Sequence, residues 1–256
     1  KAIRRQRQMC IRDRLKSPHA EEVAQMLVEE KVPVITTGAG NPAKYMDAWL
    51  NAGIKVIPVI AACSMAKLSE RVGAIALVAE GGESGGHIGE LNTMPLVPQV
   101  CDAVSIPVIA AGGIGDGRGL AAALMLGAVG VQIGTRFLSA KECCISREYK
   151  ERLLKAGDRD TIVTGRTLGH PVRSLKSPFS TTYAKMARDT HLSDEELEAF
   201  GVGSLRMAVQ EGNPQKGSFI AGEIAGLVQK EQSAREIIEE IIREAVECLE
   251  KASRYL

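Results

Sequence analysis

The chain has 256 residues, 45% of them hydrophobic and 25% charged, with a formal net charge of +1. This composition is typical of a globular protein large enough to bury a sizeable core, and the near-neutral charge gives no reason to expect a nucleic-acid partner. No apolar run is long enough to cross a bilayer and no signal peptide opens the chain, so we expect a cytoplasmic protein without a membrane partner. The six cysteines form no C-x-x-C pair, and we expect reduced thiols and no metal site.

Residues 1–14 are basic and lack a usable apolar period. A nucleic-acid patch is one interpretation of this segment, but we favour a non-native or disordered stretch that contributes no strand. The regular pattern begins after it.

From residue 19 onward, apolar runs alternate with helical patterns. Nearly continuous apolar strands separated by helices predict a parallel sheet that is covered on both faces. The predicted strands are 32–37, 54–60, 74–79, 107–111 and 130–133, and the predicted helices between them are 19–30, 42–52, 63–72 and 117–127.

The pattern changes after residue 138. A helix is predicted over 146–157, followed by a polar, β-capable and irregular stretch over 161–182. Two further helices, 193–210 and 233–254, each begin with a serine and a glutamate at capping-box spacing. We expect this third of the chain to be a helical appendage.

Glycines end the last two predicted strands. Gly112 and Gly113 follow one strand, and Gly134 and Thr135 follow the next. A TIM barrel holds a phosphate after its last two strands in this way, because backbone N–H groups at glycine can approach an anion closely. We therefore predict an α/β fold of the TIM (β/α)8-barrel family. Only five of its eight strands are found, so the first three βα units are expected to be absent.

The third predicted strand leads into the loop AEGGESGGHIG, residues 79–89. Glu80 is expected at the carboxyl end of the strand, where barrel enzymes place their active sites. Gly85 and Gly86 precede His87, and histidine is the usual proton donor or acceptor near neutral pH. We predict a catalytic His87; an ordinary surface histidine is the alternative.

Several of these strings resemble enoyl-acyl carrier protein reductase II, a flavin-dependent enzyme of bacterial fatty-acid synthesis within the wider nitronate monooxygenase (2-nitropropane dioxygenase) family. The strings are TTGAGNPAKY (36–45), EGGESGGHIG (80–89), PVIAAGGIGDG (107–117) and VQIGTRF (131–137). The resemblance continues to residue 256, where the C-terminal segment favours the reductase branch. It implies an N-terminally truncated member.

The resemblance implies that FMN binds at the barrel mouth. Gly112 and Gly113 would hold one side of its phosphate, and Gly134 and Thr135 the other. The resemblance also places Glu80, Gly85 and Gly86 near the isoalloxazine ring or the ribityl chain.

The implied reaction uses NADH or NADPH to reduce FMN, and a trans-2-enoyl thioester on acyl carrier protein then receives the hydride. His87 would polarise the thioester or relay a proton. A homodimer is a family expectation. Two alternatives stay open: a nitronate monooxygenase that oxidises nitroalkanes with O2, and an inactive fragment that cannot retain flavin.

The predicted organisation has four parts. Residues 1–14 are the basic segment, and 15–145 form a partial barrel that binds FMN. Residues 146–232 form an irregular and helical insert over the barrel mouth, and 233–256 form a C-terminal helix that packs on the barrel.

Overall fold

The computed structural model describes residues 9–11, 19–38, 42–189, 191–252 and 254. Within these ranges the main sheet has six parallel strands. The strands are Met9–Ile11 (β1), Val34–Thr37 (β2), Lys55–Ile60 (β3), Leu77–Glu80 (β4), Val108–Ala111 (β6) and Gly130–Gln132 (β7). They lie side by side in the order β1-β2-β3-β4-β6-β7. The predicted α/β architecture with a parallel sheet is confirmed.

The first strand corrects the prediction for residues 1–14. Met9–Ile11 pairs in parallel with β2, in the register Met9 to Ile35 and Ile11 to Thr37. The apolar run Met9–Ile11 has only three residues and lies within a basic segment, so the sequence pattern did not indicate a strand. In the folded chain it pairs with the backbone groups along the edge of β2. The described sheet therefore has six strands instead of the predicted five, against eight in a closed barrel. Residues 1–8 and 12–14 lie outside the described residues.

Helices connect successive strands of the sheet. They are Ala20–Glu29 (α1), Ala43–Asn51 (α2), Cys63–Arg71 (α3), Thr93–Ala103 (α4) and Gly117–Met125 (α5). Apolar side chains of α3, α4 and α5 pack on β3, β4 and β6 in one buried cluster that includes Ala66, Leu77, Leu96, Val108 and Ala123. The sheet and its helices therefore form a continuous core that fixes where the strands end.

Helix α4 was not predicted from the sequence, because its segment contains Pro95 and Pro98. Pro95 lies in the first turn, where backbone N–H groups have no partner within the helix in any case. Pro98 lies inside the helix and removes one hydrogen bond. Burial of apolar side chains against the sheet offsets this loss, and these side chains are Leu96, Val97 and Val100.

A second, antiparallel sheet lies over the loops of the first. It joins Gly86–His87 (β5), Val172–Leu175 (β9) and Thr161–Thr164 (β8), with β9 in the middle. The stretch 161–182, predicted to be irregular, is therefore a hairpin followed by helix α7, Pro178–Met186. The sequence did not predict this pairing. Strand β9 pairs with β8 at four positions and with β5 at two, and β5 lies about 85 residues away in sequence, a distance over which local patterns carry no signal.

The rest of the C-terminal third is helical. It contains Arg147–Lys155 (α6), Asp194–Gly201 (α8), Ser204–Arg206 (α9) and Ala234–Ala252 (α10), with a π-turn at Met207–Glu211 and 3₁₀ turns at Thr135–Ser139 and Glu223–Leu227. The single helix predicted over 193–210 is interrupted, since Gly203 adopts a left-handed φ of +74°.

The last helix packs on the main sheet's outer layer. The backbone N–H of Gly117 in α5 donates a 3.0 Å hydrogen bond to Glu244 of α10, and a side chain at Gly117 would collide with the α10 backbone. The predicted capping box at its start is present, with Ser233 and Glu236 bonded reciprocally. These contacts hold α10 against the helix that follows the Gly112–Gly113 turn.

Within the described ranges, no helix is long and apolar enough to cross a membrane. The same residues contain no group of three or more His, Cys, Asp or Glu side chains that could hold a metal ion. Five cysteines, Cys63, Cys101, Cys143, Cys144 and Cys248, are free thiols, as predicted.

Candidate active site

A cavity of about 580 Å³ opens at the carboxyl ends of the parallel strands. Alternate residues of five strands point into it, and these are Thr36, Ile57, Val78, Ile109 and Val131. In a closed eight-stranded barrel such side chains fill a packed interior. Here they form an apolar floor beneath the loops, which is a suitable surface for a flat aromatic ring system.

Both predicted glycine turns line this cavity. Gly112 and Gly113 have φ angles of +87° and +70°, which L side chains rarely adopt. A Cβ atom at Gly112 would also lie only 2.7 Å from the carbonyl oxygen of Gly81. Gly134 and Thr135 line the cavity from the end of β7. The structure therefore brings the two turns together around one space, as a phosphate-binding pair requires.

Glu80 lies at the end of β4 and is 5% exposed. Ser84 Oγ donates a 3.1 Å hydrogen bond to its carboxylate, and both residues line the cavity. Gly85 also lines it and packs so closely that a Cβ there would lie 2.7 Å from the carbonyl carbon of Ala221. The loop after β4 is therefore pressed against the C-terminal part of the chain.

Residues 220–224, the C-terminal wall, close one side of the cavity, to which Ile220, Gly222 and Ile224 contribute. The sequence did not predict any residue of this stretch as part of the site. A Cβ at Gly222 would lie 2.6 Å from the carbonyl oxygen of Glu83. The signal was the glycine itself, but its partner could be identified only from the folded chain.

The wall is supported from behind by Tyr149. Its hydroxyl donates a 2.6 Å hydrogen bond to the carbonyl oxygen of Ile220, and its ring packs edge-on against Phe219. Burial raises the pKa of Tyr149 above its ordinary value, so the hydroxyl stays a donor across the physiological range.

Gly86 and His87 lie in β5, outside the set of residues that line the cavity. His87 is exposed, and its backbone pairs with Val172 of β9. A Cβ at Gly86 would lie 3.6 Å from the side chain of Ile220, which does line the cavity. His87 is therefore not among the cavity-lining residues, and its neighbour Gly86 lies against one of them.

Two more residues of the site were not predicted from the sequence. Glu83 lines the cavity, and its carboxylate accepts hydrogen bonds from Thr93, the first residue of α4. Arg173 of β9 is 13% exposed, donates a 3.0 Å hydrogen bond to the carbonyl of Gly82 and forms a 2.9 Å ion pair with Glu223. Together they fix the loop that follows β4 to its surroundings.

Comparisons with known proteins show which family the chain belongs to. A family model described as nitronate monooxygenase matches residues 7–244. A (3aS,4S,5R,7aS)-5-hydroxy-7a-methyl-1-oxo-octahydro-1H-indene-4-carboxyl-CoA dehydrogenase of Mycobacterium tuberculosis is 34% identical, and the match covers 91% of this chain and 77% of that protein. A probable nitronate monooxygenase of Staphylococcus saprophyticus is 32% identical, with 90% of this chain and 68% of that protein covered.

Solved structures show the same relationship. FabK from Thermotoga maritima has a TM-score of 0.92 and 48% identity, covering 97% of this chain and 78% of that chain. Nitroalkane oxidase from Streptomyces ansochromogenes has a TM-score of 0.77 and 27% identity, covering 91% and 70% respectively. The chain is a flavin-dependent oxidoreductase and belongs to the nitronate monooxygenase family.

Proposed function

We propose that this protein is an FMN-dependent reductase of trans-2-enoyl thioesters carried by acyl carrier protein, with NADH or NADPH as the reductant. The observation that carries the proposal is the similarity to FabK, an enoyl-acyl carrier protein reductase II, over nearly the whole chain. An acyl thioester is also the substrate named for the Mycobacterium tuberculosis CoA dehydrogenase. The shared substrate class favours thioester chemistry at this site.

The residues of the cavity fit FMN. The Gly112–Gly113 turn leaves no room for a side chain at Gly112, so backbone N–H groups are the donors that it offers to an anion. Gly134 and Thr135 stand at the neighbouring strand end and offer a hydroxyl as well as backbone groups. We assign the phosphate to these two turns and the isoalloxazine ring to the apolar floor. Glu80, Gly85 and Gly86 are assigned to the ring or the ribityl chain.

The chemistry that bound FMN supplies is hydride transfer, from the nicotinamide coenzyme and then to the β-carbon of the enoyl thioester. We assign to His87 the proton that the α-carbon takes up, since it is exposed and follows Gly86, which lies against Ile220 of the cavity wall. The β5–β9 pairing fixes the backbone of His87, so its imidazole is presented from a defined position.

A steady-state assay tests the proposal. The purified chain is titrated with FMN, followed by flavin absorbance, and then supplied with NADH or NADPH and a crotonyl thioester of acyl carrier protein. We expect coenzyme-dependent loss of the enoyl group. Size-exclusion chromatography with light scattering on the same sample tests the expected homodimer.

Nitronate monooxygenase activity is the second candidate, favoured by the family model and by the Staphylococcus saprophyticus relative. Both activities use the same flavin site and differ in the electron acceptor, which is O2 for nitronate oxidation. Oxygen consumption with nitroalkanes and no thioester reduction would replace the first proposal with this one. A protein that stays colourless after FMN addition would support the other alternative hypothesis, an inactive fragment that cannot retain flavin.

A further inference from the structure

We propose that Thr93, held in place by Glu83, is a positioning residue that aims the backbone N–H groups of the Gly112–Gly113 turn at the FMN phosphate. This inference rests on the proposed function, because it concerns the same flavin site. Thr93 contacts the turn without lining the cavity, whereas Glu83 lines the cavity beside the turn.

The contacts converge on one hydroxyl. Thr93 Oγ1 lies 2.9 Å from the carbonyl oxygen of Gly112, 3.3 Å from that of Ala111 and 2.9 Å from Oε2 of Glu83. The hydroxyl has one proton to donate, and the carbonyls and the carboxylate compete for it. The backbone N–H of Thr93 already donates to both carboxylate oxygens, so we assign the hydroxyl proton to the nearer carbonyl, that of Gly112. Thr93 is buried, so water competes for this hydrogen bond less than it would at the surface.

These contacts set the direction of the backbone N–H groups in the turn. A trans peptide unit is planar, so the C=O of one residue and the N–H of the next point in opposite directions. A bond from Thr93 to the carbonyl of Gly112 thus turns the N–H of Gly113 away from α4. The carbonyl of Ala111 is held in the same way by the N–H of Gly81 at 2.9 Å, which turns the N–H of Gly112 away from β4.

Glu83 fixes Thr93. Both carboxylate oxygens lie 3.0 Å from the backbone N–H of Thr93 at the start of α4, and one of them lies near its hydroxyl. The partial positive charge of a helix N-terminus stabilises a carboxylate there. Two consecutive glycines with left-handed φ angles are flexible when no contact restrains them. The hydroxyl of Thr93, itself held by Glu83, therefore lowers the entropy cost of ordering the turn when a ligand binds.

Flavin selectivity separates this role from simple structural support. Riboflavin lacks the phosphate, so a residue that orients the phosphate turn changes FMN affinity and leaves riboflavin affinity alone. Thr93→Val keeps the shape of the side chain and removes the hydroxyl. We expect its dissociation constant for FMN, measured by flavin fluorescence quenching, to rise about tenfold, the effect of one hydrogen bond. Its dissociation constant for riboflavin should stay within about twofold.

Thr93→Ser is the matched control, because it keeps the hydroxyl and should retain the wild-type preference for FMN over riboflavin. Equal losses for both flavins in Thr93→Val, or an unchanged preference, would overturn the inference. The wild-type titration separates this failure from that of the proposed function: a wild type that binds no flavin, or does not prefer FMN, overturns both.

Glu83→Gln provides a second test that does not depend on the folding of Thr93→Val. It removes a negative charge near the phosphate turn, and charge repulsion alone would raise FMN affinity. If Glu83 acts by holding Thr93, the preference for FMN falls despite the lost charge. An increased preference would overturn the role of Glu83.

Discussion

The backbone N–H of Gly222 donates a 2.8 Å hydrogen bond to the hydroxyl oxygen of Thr135, which lies 87 positions earlier in the chain. Thr135 belongs to the turn after β7 and Gly222 to the C-terminal wall, so one bond joins two sides of the cavity. Gly222 is buried, and its N–H would have no ready replacement for this acceptor. The shape of the site therefore depends on this contact.

Thr135→Val should destabilise the flavin-free protein. The variant leaves the N–H of Gly222 buried without an acceptor, which costs about 1–3 kcal/mol of unfolding free energy. Urea denaturation of the flavin-free protein measures this loss. Thr135→Ser keeps the acceptor and should remain close to wild type, so equal stability of the two variants would contradict the assignment.

Gly134 offers a test of the phosphate assignment that avoids backbone strain. Its φ is −107° and nothing lies within 4 Å of the position that a Cβ would occupy. Gly134→Asp should weaken FMN binding by about a hundredfold or more, since two unit charges 4 Å apart repel by about 4 kcal/mol near a protein surface. Gly134→Asn has the same shape without the charge and serves as the control. Similar FMN affinities in the two variants, measured by fluorescence quenching, would mean that the phosphate binds elsewhere.

His87→Ala should retain flavin and lose turnover. His87 is exposed and is not among the residues that line the cavity, so its removal leaves the binding residues in place. We expect kcat for the enoyl thioester to fall by about 10²–10⁴, the usual contribution of an acid–base group. His191→Ala, an exposed histidine next to α8, is the control. An unchanged kcat in His87→Ala would remove the proton role.

Asp116 should make the stability of the protein pH-dependent. Burial raises the pKa of this carboxyl, but hydrogen bonds from the side chain of Arg118 and the N–H of Gly119 outweigh it and bring the pKa below its ordinary value. A lowered folded-state pKa stabilises the protein above the unfolded-state value near 4, and this stability is lost as the pH falls through the folded pKa.

The corresponding variant is Asp116→Ala, which removes the N-cap of α5. Near pH 7 it should cost about 1 kcal/mol of unfolding free energy. The difference from wild type should shrink below about pH 4, as the wild-type carboxylate becomes protonated. Asp116→Asn keeps a capping oxygen and controls for the loss of charge. Chemical denaturation between pH 3 and pH 7 is the measurement, and a constant difference would contradict the lowered pKa.

Local sequence signals were sufficient for most regular elements. The alternation of apolar runs and helical patterns predicted β2, β3, β4, β6 and β7, because each of these strands is a short, mostly apolar run next to a helical segment. The capping box at Ser193 and Glu196 is also present as predicted. Such signals act over three or four residues and are readable without knowing the fold.

Elements that break local rules were missed. Helix α4 contains two prolines and is held by its buried face, while β1 is three residues long within a basic stretch. In both cases tertiary contacts outweigh local propensity, since packing and strand pairing supply more free energy than the sequence preference removes.

The sequence by itself determined the alternation of five strands of the main sheet with helices, and the glycines that two strand-end turns require. Only the tertiary structure decided which residues meet in and around the site: Glu83 with Thr93, Thr135 with Gly222, and the backbone of His87 with Val172. The physical reason is that these partners are 10 to 87 residues apart, as the Glu83–Thr93 and Thr135–Gly222 bonds illustrate. Their meeting depends on how the whole chain packs, and no local pattern records it.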